Sequence, residues 1–118
     1  MSQTPEGKVK DRVRKLLNFH GVFTIQQAQK ILDDETSIAV IEGYFHCPVV
    51  NGMGEPTLDF IGCYLGRFFA IETKAHNKQM TDRQELTATV MREAGGAVFL
   101  INDETGVEPL KQWLEESK

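Results

Sequence analysis

The sequence is poor in several features that would narrow its class at once. It has two cysteines, Cys47 and Cys63, 16 positions apart and outside any Cys-x-x-Cys spacing. That excludes a disulfide-stapled fold, argues against a zinc site, and leaves two structural thiols of a reducing compartment. No apolar run approaches the roughly 20 residues of a membrane span. The opening Met1-Ser2-Gln3-Thr4-Pro5-Glu6 shows no basic patch followed by an apolar stretch, so the expected location is cytoplasmic and the expected partners include no membrane. There are no repeats or low-complexity segments, and no phosphate-binding glycine loop, Gly95-Gly96 reading as a helix stop.

What is present fits one globular domain over residues 1–118. At 118 residues, 41% hydrophobic and 25% charged, the chain is long enough for a single core and too short for two. The net charge of −4 is unevenly spread. Lys8, Lys10, Arg12, Arg14 and Lys15 outweigh Glu6 and Asp11 in residues 1–20, and Lys74, Lys78, Arg83 and Arg92 outweigh Asp82 and Glu85 in residues 74–92. Two basic surfaces on an acidic protein suit nucleic acid, although solvated helix faces produce the same pattern.

Thr4 as N-cap, Pro5 at the first helical position, and Val9, Val13, Leu16, Leu17 and His20 at helical spacing predict a first helix ending at Gly21. At about 100° per residue, Glu6 projects within about 20° of Val13 and Leu17, which places a carboxylate on the line of the apolar stripe. Thr24 caps a short second helix through Ile25, Ala28, Ile31 and Leu32, followed by a charged loop at Asp33-Asp34-Glu35. Residues 37–50 read as one long strand or two short ones broken at Glu42-Gly43, and residues 51–56 as a turn-rich loop. Leu58–Tyr64 and Arg67–Lys74 form an antiparallel hairpin about Leu65-Gly66. Thr81-Asp82-Arg83-Gln84 has the form of a capping box opening a helix through Leu86, Val90, Met91 and Ala94. Residues 97–101 are a wholly apolar strand expected at the centre of the sheet, and residues 107–116 a last helix anchored by Leu110, Trp113 and Leu114. The element order predicts an α/β fold, a central mixed β-sheet flanked by helices.

The hairpin carries the chemistry. Both strands are apolar on both faces, so Asp59, Glu72 and Lys74 are conspicuous charges. With a two-residue loop, Tyr64 pairs with Arg67 and Asp59 falls opposite Glu72, on one face with Lys74. Two carboxylates about 5 Å apart repel by roughly 3 kcal/mol at an effective dielectric of about 20. A shared proton, Lys74 or a divalent cation would compensate. An all-oxygen site suits Mg²⁺ or Mn²⁺, which activates water and neutralises a phosphoryl oxygen beside a positioned ammonium. The alternative is an internal ion pair of Lys74 at strand ends that emerge into solvent.

The residues Gly54-Glu55-Pro56-Thr57-Leu58-Asp59-Phe60-Ile61-Gly62, then residues 66–75 with Glu72-Thr73-Lys74, then Thr81-Asp82-Arg83-Gln84 and Ala94-Gly95-Gly96, resemble the VRR-NUC family. These nucleases belong to the PD-(D/E)XK superfamily, and the likeness is to their small stand-alone phage and prophage members. It covers about residues 5–20 and 44–103, leaves residues 22–43 as an insertion, and splits the family's Pro-Asp dipeptide between Pro56 and Asp59. The resemblance implies a restriction-endonuclease-like core, with Asp59, Glu72 and the carbonyl of Thr73 as ligands of Mg²⁺, Mn²⁺ being a substitute. Lys74 would orient the attacking water, and Glu6 would complete the site through a metal-bound water. Gln84 would support the site or touch DNA, unless it only closes its capping box. Gly54 and Pro56 would shape the approach to Asp59. The implied protein is a homodimeric endonuclease of branched DNA such as four-way junctions, phage- or prophage-encoded and acting in the cytoplasm of a bacterial cell. A non-catalytic DNA- or protein-binding module on the same fold is the alternative. Lys8, Arg12, Lys78 and Arg83 are candidate phosphate contacts; His76 is read as a bystander, and His20 and His46 as structural.

Overall fold

A computed structural model describes residues 4–49 and 52–118. The expected ends of the 37–50 strand at Val50 and of the loop at Asn51, and the opening Met1-Ser2-Gln3, lie outside the described residues.

Local signals account for most of the elements. Helix α1 spans Pro5–Phe19, and the Thr4 side chain accepts from the Gly7 N–H. Its stripe of Val9, Val13 and Leu17 is buried, and Gly21, at φ 80°, turns the chain out of the helix. Strand β1, Val22–Phe23, leads into α2, Ile25–Asp33, which Thr24 and Gln27 open with a reciprocal capping box. Strands β2 (Gly43–His46), β3 (Phe60–Tyr64) and β4 (Arg67–Thr73) follow. The β3–β4 loop is Leu65-Gly66, both at positive φ (50° and 82°), as a tight two-residue hairpin turn requires. Helix α3 covers Asp82–Glu93, strand β5 Ala97–Ile101 and helix α4 Glu108–Glu116.

These elements form a five-stranded mixed sheet in the order β1-β2-β3-β4-β5, with β2, β3 and β4 antiparallel and the two outer strands parallel to their neighbours. Helices α1 and α4 cover one face: Val9, Val13 and Leu17 meet Phe60, Phe69, Ile71, Leu110 and Leu114. Trp113 lies partly buried there, its ring 5.9, 5.8 and 5.7 Å from those of Tyr64, Phe69 and Phe99. Helix α3 covers the other face, where Ala88 packs on Ala70 and Leu58 beside Met91 and Val98. Each large apolar side chain so enclosed contributes roughly 1.5–3 kcal/mol relative to exposure. No helix among the described residues is long and apolar enough to cross a membrane.

Two expectations are corrected, and the structure adds two features. Strand β5 is the outer strand beyond β4, not a central one; its apolar character reflects helices on both of its faces, Val98 packing towards α3 and Ile101 towards α4. The run from residue 37 is strand only at Gly43–His46, because Ile38 and Val40 stand exposed and the ladder is taken up where Glu42 and Gly43 donate to the Gly21 carbonyl. Within α3, Leu86 and Val90 face solvent while Ala88 is buried. Residues 22–43 add β1 to the sheet as an outer strand, and their helix α2 buries none of its side chains. An amide pair, Asn18 with Gln27 at 2.9 and 3.2 Å, ties α2 to α1.

Candidate active site

The site lies where β3 begins and β4 ends. The predicted register holds through the whole ladder, from Tyr64 opposite Arg67 to Phe60 opposite Ile71. It carries Asp59 to the mouth of the hairpin, next to Glu72 and Thr73. The Lys74 backbone N–H donates to the Ile101 carbonyl at 3.0 Å, which pins the segment after β4 to the end of β5.

The arrangement at this sheet end differs from a simple shared face. Leu58 packs with Ala70 and Ala88 on the α3 face, where strict alternation from Phe60 would send it to the opposite one. The chain leaves strand geometry at Asp59, and its carboxylate turns away from the line of Glu72 to meet Thr73: Oδ2 accepts from the Thr73 N–H at 2.9 Å and from its hydroxyl at 2.7 Å. Glu72 faces α3. Its Oε1 accepts from the Asp59 N–H at 3.2 Å, and its Oε2 accepts from Gln84 Nε2 at 2.8 Å with Lys74 Nζ at 3.5 Å. Glu72 is thus tied to the backbone of Asp59, and Asp59 to that of Thr73, the residue after Glu72.

Glu72 is 2% exposed, and burial, then the charge of Asp59, push its pKa up from 4.5 to about 7; Lys74 and the Asp59 N–H pull the other way. The carboxylate oxygens of Asp59 and Glu72 are of the chemistry that suits a hard divalent ion such as Mg²⁺, which keeps several of its waters. Among the described residues no group of three His, Cys, Asp or Glu side chains is gathered for a metal.

Of the residues singled out from sequence, Asp59, Glu72, Thr73, Lys74 and Gln84 come together. Gln84 plays both of its candidate structural roles: Oε1 accepts from the Thr81 N–H at 3.0 Å to close the capping box, while Nε2 holds Glu72. Glu6 is half-buried in the first turn of α1 and makes no hydrogen bond or ion pair among the described residues. Gly54, Pro56, Arg83 and Gln84 line a cavity of about 170 Å³ that adjoins Glu72 through Gln84. Lys78 lines a separate hollow with Asn102 and Glu104, and Lys8 and Arg12 are exposed. His76, read as lacking a partner, lies 3.8 Å from Asp103 and 3.6 Å from Glu104.

Sequence reasoning missed Lys10, whose Nζ is 4.0 Å from Asp59 Oδ1. The available signal was its position one turn after Glu6, on the same side of α1. No known protein family, curated protein or solved structure matches the chain.

Proposed function

We propose that this protein is a divalent-metal-dependent DNA endonuclease. The observation that carries the reading is the juxtaposition, at one sheet end, of two coupled carboxylates and a lysine, with Lys74 Nζ 3.5 Å from Glu72. Asp59, Glu72 and the Thr73 carbonyl would hold Mg²⁺, which when bound supplies Lewis-acid polarisation of a phosphoryl oxygen and an acidified water. The protein's own part is positional. Thr73 holds Asp59 by two hydrogen bonds, and Gln84 holds Glu72 against α3. Lys74 carries an ammonium at the strand end, where it orients the attacking water and favours the charge that develops on the phosphate. The resemblance to the VRR-NUC nucleases extends the proposal to a homodimer acting on branched DNA, with Glu6 reaching the site through water.

A second reading, a DNA- or protein-binding module without catalysis, is favoured by one observation: both Glu72 oxygens already accept from protein donors. One experiment separates the two. Purified protein is incubated with labelled four-way junction and linear duplex, in Mg²⁺ or chelator, beside Lys74→Ala. The nuclease reading expects metal-dependent cleavage that the variant loses, with the junction preferred. Binding without cleavage in Mg²⁺ or Mn²⁺ selects the module.

A further inference from the structure

A second polar hollow opens at Asp59 on the α1 side of the sheet end. Its volume is about 220 Å³, and its walls include Lys10, Arg14, Asp59 and Phe60. Lys10 and Arg14 lie one turn apart on α1 and share a helix face. The Arg14 guanidinium sits over the Phe60 ring, 5.7 Å from its centroid, and donates to Asp11 at 3.1 Å. Neither Lys10 nor Arg14 was among the candidate phosphate contacts named from sequence.

The two oxygens of Asp59 are held very differently. Oδ2 is clamped by the Thr73 N–H and hydroxyl. Oδ1 accepts no hydrogen bond among the described residues and has only the Lys10 ammonium, at 4.0 Å. That distance is too long for a hydrogen bond, and the Lys10 side chain is 33% exposed on a flexible stem. A fixed anionic oxygen is therefore balanced by a cation free to leave it.

We propose that Lys10 is an exchangeable counter-ion: it neutralises Asp59 Oδ1 in the free protein, and when a divalent cation takes that oxygen it turns to a DNA backbone phosphate seated in the hollow with Arg14. The inference rests on the metal reading of Asp59 given above. Its logic is electrostatic. An ammonium and a divalent cation repel each other at one oxygen, and a phosphate is repelled from the hollow as long as Asp59 lacks its cation. Once Asp59 is neutralised, the rotatable Lys10 donors turn to phosphate oxygens, and Arg14, with one nitrogen on Asp11, offers its remaining donors beside them. Metal and DNA are then coupled, each tightening the other through Lys10.

The test uses the full chain, with Lys10→Met to keep the aliphatic stem, Lys15→Met as an exposed control of equal charge on another face of α1, and Asp59→Asn. Mg²⁺ affinity of the DNA-free protein is measured by calorimetry, and affinity for a short DNA duplex is measured in chelator and in Ca²⁺ over a salt series. Lys10→Met should bind Mg²⁺ about three- to tenfold more tightly and the duplex in Ca²⁺ about tenfold more weakly. Its salt slope should be shallower by about one, and Lys15→Met should stay within about twofold of wild type in Mg²⁺ affinity. If Asp59→Asn loses metal but Lys10→Met matches Lys15→Met, the exchange is overturned while the metal reading stands. Equal Mg²⁺ affinity of wild type and Asp59→Asn overturns the metal reading and the exchange with it.

Discussion

Replacing Glu72 by glutamine probes the electrostatics of the site without any assumption about substrate. The folded-state pKa of Glu72, raised from 4.5 to about 7 by burial and then by Asp59, lies above the value of the unfolded chain. Between those values the folded state binds more protons than the unfolded one, so stability falls as pH rises. The contribution is complete below the unfolded pKa and is lost as pH passes through about 7. At about 1.4 kcal/mol per unit the shift corresponds to about 3 kcal/mol. Glutamine removes the titration. It keeps an acceptor for the Asp59 N–H but turns an amide NH₂ towards Gln84 and Lys74, which both donate, at a cost of about 1 kcal/mol. The variant should therefore be less stable than wild type by about 1 kcal/mol at pH 4 and more stable by about 2 kcal/mol at pH 8. Urea unfolding in chelator, followed by the fluorescence of the single tryptophan, Trp113, packed between Tyr64, Phe69 and Phe99, measures both. Taking the difference between the proteins cancels groups that titrate alike in both. Parallel pH profiles, or a variant that loses ground as pH rises, would refute the reasoning.

Other predictions concern the neighbours of Glu72. Lys74→Ala should lower cleavage about 10²–10⁴-fold while circular dichroism shows the fold retained. It should also destabilise by about 1–3 kcal/mol above pH 7 and little below pH 5, since it strips a partner from a buried carboxylate only while that carboxylate is charged; equal losses at both pH values would count against the ion pair. Gln84→Ala opens the capping box and frees Glu72, for about 1–2 kcal/mol in denaturant unfolding, whereas an exposed change such as Arg92→Ala on the same helix should stay within about 0.5 kcal/mol. Mg²⁺ at about 100 times its dissociation constant should stabilise by about 2.7 kcal/mol. The resulting rise in Tm should be larger at pH 8 than at pH 5.5, where protons compete for Glu72, and chelator should reverse it. A thermal scan in which Mg²⁺ acts equally at both pH values would place the ion elsewhere.

The legible part of this chain was the part written in neighbouring residues. Thr4, Thr24 and Thr81 announce helix starts because a hydroxyl satisfies N–H groups two or three positions on, and Leu65-Gly66 sets the hairpin register because a two-residue turn leaves one pairing. That register is enough to bring Asp59 to Glu72, since strand geometry converts spacing into position. Periodicity was a poorer guide to exposure. The apolar run of β5 does not distinguish a central strand from an outer one covered on both faces, and the apolar residues of α2 and α3 do not announce that Ile25, Leu32, Leu86 and Val90 stay in solvent.

The sequence by itself determined the four helices, the register of the hairpin, and therefore the meeting of Asp59, Glu72, Thr73 and Lys74, because each depends on interactions only a few bonds or one tight turn apart. Tertiary structure alone decided the rest of the site. Packing of Leu58 beneath α3 rotates Asp59 out of alternation, the docking of α1 brings Lys10 to its free oxygen across 49 positions of chain, and burial under α3 raises the pKa of Glu72. Those properties depend on how sheet and helices stack, and no local pattern of residues encodes the distance between two surfaces before they meet.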